Sequence, residues 1–292
     1  MTSLRPIEDV FTVEKEHWVG TGFRVRNYFP GGRDLLNRFS PFALLDYNSP
    51  FEFPPSGTPR GIGPHPHRGL ETVTLVFEGA VEHHDNEGNH GIIYPGDVQW
   101  MTAGKGIMHK EYHEKNFYLN GGIFHLVQLW TSLPKKDKYT EPRYQEILKD
   151  DMGKIDLPDG SGNVTVISGR FNETTGPAMT FSPINMYVVN LNSRGIITLD
   201  EPGIFNTGIL MISGSAMING KACIHKDFIL FENTDGSIEI QAEEQGSKLL
   251  VLSGEPLNEP AVAAGPFVMS TNEELRQAAQ DYREGKFGTD KF

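Results

Sequence analysis

His65-Pro66-His67 is the first segment whose residue types and spacing could do chemistry. In an extended strand, residues i and i+2 project from one face, so both imidazoles point the same way at a spacing suited to one metal ion. Pro66 fixes its own φ and drives His65 into an extended conformation, which stiffens the pair. Glu71 shares parity with His67, and alternation would carry it to the same interior. His109-Lys110-Glu111 repeats the i, i+2 pattern with one imidazole and one carboxylate. Strands meeting around a barrel could place His65, His67, His109 and Glu111 about one point. That donor set suits Fe(II), Mn, Ni, Cu or Zn. An octahedral ion so held keeps open positions for O₂ and an oxygen-bearing substrate.

A lone His-x-His in a β protein is commonly incidental. Here nine of the ten histidines fall within the first 125 residues, so a His-rich site belongs to the first half of the chain. The remaining candidates carry blander expectations. His83, His84 and His90 flank a polar turn and are expected in solvent, and His113 at a rim. His125 lies on an apolar run as a satisfied core or pocket-lining residue, with Gln128 offering a polar group to the cavity. Cys223, Trp100 and Trp130 read as core. Gly104-Lys105-Gly106 lacks the Ser or Thr of a phosphate loop.

The elements that must position these residues are strands. Thr72-Val73-Thr74-Leu75-Val76-Phe77, Phe124-His125-Leu126-Val127-Gln128-Leu129-Trp130 and Lys248-Leu249-Leu250-Val251-Leu252 are short β-branched or apolar runs. Thirty-two glycines and nineteen prolines punctuate such runs, which predicts an all-β sandwich or barrel. Asn219-Gly220 predicts a two-residue hairpin turn. One helix is predicted at 271–284, capped from Ser270-Thr271-Asn272 and ended by Gly285. Leu75-Val76-Phe77-Glu78-Gly79 and Leu210-Met211-Ile212-Ser213-Gly214 each precede a hairpin, a weak internal repeat that suits a duplicated barrel. The boundary is expected in the polar stretch 133–154.

The chain has 292 residues, 38% hydrophobic and 22% charged, which excludes a disordered chain and leaves ample material for a core. A net charge of −12 gives no overall pull toward nucleic acid or an anionic membrane. No run approaches the ~18 apolar residues of a membrane span. A single cysteine fits a reducing compartment, and the N-terminus lacks the apolar core of a signal peptide. The expectation is a cytoplasmic protein without direct nucleic-acid or membrane partners.

Two long motifs add a resemblance. They are Gly63-Pro64-His65-Pro66-His67-Arg68-Gly69-Leu70-Glu71-Thr72-Val73-Thr74 and Pro95-Gly96-Asp97-Val98-Gln99-Trp100-Met101-Thr102-Ala103-Gly104-Lys105-Gly106-Ile107-Met108-His109-Lys110-Glu111. With Pro41-Phe42-Ala43-Leu44-Leu45-Asp46, Pro142-Arg143-Tyr144-Gln145 and Gly265-Pro266-Phe267-Val268-Met269, they resemble the pirin family of the cupin superfamily over nearly the whole chain. The resemblance implies two tandem cupin barrels of the double-stranded β-helix, jelly-roll-like type. The implied division is a metal-binding barrel at 1–135, a linker at 136–154, and a metal-free barrel at 155–292 that includes the C-terminal helix. It implies Fe(II) on His65, His67, His109 and Glu111. Glu71 occupies the usual cupin carboxylate position and is expected beside the metal or substrate. The implied activity is that of a quercetin 2,3-dioxygenase. There a flavonol binds the metal through its 3-hydroxyl oxygen, a carboxylate (here Glu111) takes the proton, O₂ reacts, the ring opens and carbon monoxide leaves. The alternative it implies is a non-catalytic iron-binding regulator with a protein partner such as a transcription factor. The segment 112–124 is expected to reshape the pocket mouth.

Overall fold

A computed structural model of the protein describes residues 3–289 and 292. The chain is mostly β, and its contacts divide it into two units. One unit contains Glu14–Lys149 and the described residues from Leu257 onward. Its larger sheet has seven antiparallel strands. In spatial order they are Arg143–Ile147, Val98–Thr102, Leu70–Glu78, Gly122–Ser132, Phe42–Phe53, Phe23–Phe29 and His17–Val19. A second sheet of four strands runs Gly61–His67, Ile107–His113, Val81–Asp85 and His90–Ile93. The β-branched and aromatic run at Leu70–Glu78 is buried on both faces, as expected of a central strand.

The other unit contains the described residues up to Val13 and Asp150–Pro256. Its nine-stranded sheet is built around Asn206–Ile218 and Ile238–Gly254, and Ile7–Phe11 pairs with Phe228–Phe231 at its edge. Val164, Tyr187, Ile209, Phe231 and Val251 are among its buried core residues, and Cys223 is a core thiol there. The predicted hairpin turn is present: Asn219 and Gly220 both take positive φ, 45° and 77°, between the paired residues Ile218 and Lys221.

The predicted C-terminal helix spans Asn272–Arg283, with a capping box between Thr271 and Glu274. A short helix absent from the sequence reading, Lys115–Asn120, is capped by the Glu114 side chain, which accepts from the Phe117 N–H. At six residues it carries no readable amphipathic period.

The partition differs from the linear division at 1–135, 136–154 and 155–292. The N-terminal strand Ile7–Phe11 pairs with Phe228–Phe231 and so lies with the second β unit. The C-terminal helix lies with the first, because Arg68 donates to Asp281 at 2.7 Å and Val268 N–H donates to the Arg68 carbonyl at 3.1 Å. The expected linker contains Arg143–Ile147, a strand in register with Val98–Thr102. Among the described residues, no helix is long and apolar enough to cross a membrane.

Candidate metal centre

Ile107–His113 lies between Gly61–His67 and Val81–Asp85, and this pairing assembles the histidines. His109 faces His65 on one side and Asp85 on the other, while Glu111 faces His83. The His65 and His109 rings are 4.2 Å apart, and His67 is 5.0 Å from each. One donor atom from each of the three lies within 4.8 Å of the others. The Glu111 carboxylate falls within that distance of His109 and His83.

Hydrogen bonds set which ring nitrogens are free. His65 Nδ1 donates to the Gly63 carbonyl at 2.9 Å, and His67 Nδ1 donates to the Pro266 carbonyl at 3.1 Å. A carbonyl only accepts, so each of these imidazoles carries its proton on Nδ1 and a lone pair on Nε2. His109 Nδ1 meets His83 Nδ1 at 3.3 Å, and His109 Nε2 is buried without a partner. Burial lowers the pKa of all three, those of His67 and His109 well below the ordinary imidazole value, so the rings are neutral. Neutral imidazoles with donor atoms this close together, one His109 ring nitrogen being otherwise orphaned, fit a divalent cation.

Burial raises the Glu111 pKa, opposed by His83 and by hydrogen bonds from Thr74 and Gln99, both to Oε1. The group opens on a cavity of about 380 Å³ lined by His65, His67 and Glu111 on one side. Apolar walls come from Val25, Leu44 and Trp130 among others, with Asp46, Asn48 and Gln128 as polar points. Such a cavity lies in the size range of small-molecule sites, about 300–1,000 Å³.

A sequence profile described as Pirin matches residues 22–131, and one described as Pirin C-terminal cupin domain matches residues 186–288. A Pseudomonas aeruginosa protein provisionally named a quercetin 2,3-dioxygenase is 43% identical over 284 residues, which cover 97% of this chain and 99% of that one. The chain belongs to the pirin family. Human pirin is 35% identical over 283 residues, covering 94% of this chain and 92% of its own. A structure described as quercetin 2,3-dioxygenase from Acinetobacter baumannii has a TM-score of 0.94 at 39% identity, covering 99% of this chain and 100% of that one. The fold is therefore that of a pirin, with two tandem cupin barrels and a C-terminal helix.

Other residues lie away from their expected places. Glu71 does not reach the histidines. It accepts from Thr102 Oγ1 at 2.8 Å and Thr131 Oγ1 at 3.3 Å, on the sheet face opposite Thr74 and Glu111. The alternation from His67 breaks at Gly69, whose φ of +75° turns the chain between two strands. His83 is fully buried rather than solvated. It stacks on Tyr144 at 4.7 Å, and its Nε2 meets Asp85 at 3.2 Å. His84 and His90 do stand on the outer side, paired with Glu82. The alternation of Glu82 and His84 against His83 and Asp85 was the available signal.

His113 is buried among Phe23, Phe53, Phe117 and Phe124, with Nε2 donating to the Gly22 carbonyl at 2.8 Å. His125 is a satisfied core residue bonded to the Tyr47 hydroxyl at 2.9 Å. Trp130, expected in the core, lines the cavity edge-on to His67 at 5.0 Å. None of residues 112–124 lines the cavity.

Proposed function

We propose that this pirin is a metal-dependent dioxygenase of flavonols such as quercetin, using one Fe(II) ion held by His65, His67, His109 and Glu111. The observation that carries the reading is the junction of the neutral His triad and Glu111 with a mainly apolar cavity of about 380 Å³. The ion, when bound, supplies Lewis acidity and a template for the reacting oxygens.

The chain's own residues do the rest. Val25, Leu44 and Trp130 give flat and aliphatic surface to an aromatic ring system and exclude water from it. Asn48 is buried with both amide atoms unpartnered, so a substrate hydroxyl or carbonyl there relieves a standing desolvation cost. Asp46 and Gln128 offer further polar atoms on the same wall. Glu111, steadied by Gln99 and Thr74, takes the proton of the flavonol 3-hydroxyl. The net reaction joins O₂ to the flavonol, opens its heterocyclic ring and releases carbon monoxide. The names carried by the Pseudomonas and Acinetobacter relatives support this substrate class. The choice of iron over Mn, Ni, Cu or Zn follows the family resemblance. One buried cysteine fits action in the cytoplasm.

The test is anaerobic Fe(II) reconstitution followed by O₂ uptake and carbon monoxide release with quercetin. Turnover proportional to bound iron is expected. With iron fully loaded, absence of turnover on flavonols overturns this reading in favour of an iron-binding regulator that acts through a protein partner.

A further inference from the structure

We infer that Glu82, His84 and His90 form a further metal-binding site, open to solvent, for a borderline divalent cation of the Zn(II) or Cu(II) class. The site is independent of the ligand set proposed above, because it stands on the other face of the same sheet. His84 lies directly across from Lys110, in the strand that carries His109 and Glu111. Alternation therefore puts Glu82, His84 and Lys110 on one face and His83, His109 and Glu111 on the other.

The hairpin brings the three ligands together. Glu82 and His84 are an i, i+2 pair on Val81–Asp85, the same spacing as His109 and Glu111. His90 opens the next strand, His90–Ile93, and pairs in register with His84. Asp85 holds that register, since its Oδ1 accepts the backbone N–H of Glu87 at 3.0 Å and of Asn89 at 2.9 Å across the turn. The His84 and His90 rings then lie 4.2 Å apart.

Both rings aim Nε2 at one atom. Glu82 Oε1 is 2.9 Å from His84 Nε2 and 3.0 Å from His90 Nε2, and one donor atom from each residue lies within 4.8 Å of the others. Donors held by one ion at about 2.0–2.1 Å stand about 2.9–3.4 Å from one another, so both printed separations already match those within a coordination shell. An ion entering there replaces two N–H···O bonds with three metal bonds, and each ring then carries its proton on Nδ1. Two imidazoles and a carboxylate suit Zn(II), Ni(II) or Cu(II) rather than Mg(II) or Ca(II), which take oxygen ligands. The His90 side chain is 50% exposed, which leaves the site open to an ion from solvent and to water in its remaining positions. Lys110, the cation across from His84, donates to the Phe292 carbonyl. The net charge of −12 favours cation approach.

The experiment is equilibrium dialysis of the full chain against low-micromolar Zn(II) with excess Mg(II) present, joined to ¹H–¹⁵N correlation of labelled histidine ring nitrogens. In wild type, Zn(II) should shift the Nε2 resonances of His84 and His90. His90→Gln and Glu82→Gln should each weaken one bound equivalent by at least about 10–100-fold, the cost of losing even a ligand's supporting partner. Unchanged His65, His67 and His109 resonances in the metal-free variants check that the fold is intact. Unshifted His84 and His90 nitrogens in wild type, or wild-type Zn(II) binding in both variants, overturns the site. Weakening in His90→Gln but not in Glu82→Gln also overturns it, leaving an adventitious imidazole pair. An equivalent lost from the variants while His65, His67 and His109 stay unshifted by Zn(II) in wild type supports this site and counts against the ligand set of the proposed function.

Discussion

Glu111 and Glu71 are both buried carboxylates, and their surroundings give them different work. Glu111 lines the cavity beside the triad, whereas Glu71 is enclosed by Thr102 and Thr131, with Arg143 at 3.9 Å. Glu111→Gln keeps the shape and a carbonyl donor but removes the base. Flavonol turnover per bound metal should fall about 10²–10⁴-fold, measured against wild type prepared in parallel. Equal turnover per metal would place the base elsewhere. For Glu71, burial outweighs the hydrogen bonds and raises the pKa from 4.5 to about 7. The folded state therefore holds a proton that the unfolded state releases between those values, and stability falls as pH rises through that window. Glu71→Gln should remove a slope of up to about 1.4 kcal/mol per pH unit, seen as a smaller difference between urea midpoints at pH 5 and pH 7. Parallel behaviour of the two proteins would show that Glu71 is not held neutral. The two i, i+2 pairs were legible because each lies within one uninterrupted strand. Glu71 was misplaced because parity was counted through Gly69, where the strand ends. His83 was hidden by polar neighbours, although alternation already separated it from His84.

Among the elements, Arg143–Ile147 shows why composition can disguise a strand. It sits at the sheet edge and carries Arg143, Gln145 and Glu146, the kind of polar and charged residues that keep edge strands from pairing further. The same content reads as a linker when only the sequence is available. Its contribution to the site is Tyr144, which covers His83 and comes within 3.5 Å of Gln99 Oε1. The fit depends on Gly91 in the opposing sheet. Gly91→Ala should cost about 1–3 kcal/mol in chemical denaturation, the usual range for overpacking. Adding Tyr144→Phe removes the atom closest to the new Cβ and should recover part of that loss. Strictly additive losses in the double variant would mean that the clash is relieved elsewhere. By contrast, the C-terminal helix was legible because its caps and apolar period are local, and local signals survive without knowledge of the partner surface.

At the scale of the whole molecule, chain order and unit membership part company. Pairing between distant strands is a long-range choice that no local motif records, so the barrels were legible but their exchanged ends were not. The described residues from Leu257 onward lie with Glu14–Lys149, and particular contacts explain why. Pro266 supplies the acceptor that fixes His67. Lys138 donates to the carbonyls of Gly69 and Val268, each at 2.9 Å, and to Ser132 Oγ at 3.1 Å. Arg68, next to the ligand pair in sequence, is buried with its guanidinium on Asp281 and over the Phe287 ring. Truncation after Pro256 spares all four proposed ligands but removes these partners. It strips Arg68 of both its ion-pair partner and its Phe287 ring cover, leaving it the bond from its Nε to the Lys105 carbonyl. Burial already depresses the Lys138 pKa to about 8, and losing the Val268 carbonyl leaves that ammonium one acceptor short. Hydrogen exchange followed by mass spectrometry should show protection lost across 14–149 and retained across 150–256, with Fe(II) binding lost as well. The linear division predicts the reverse, with damage confined to the region after 155, so protection retained across 14–149 would reject the exchanged arrangement.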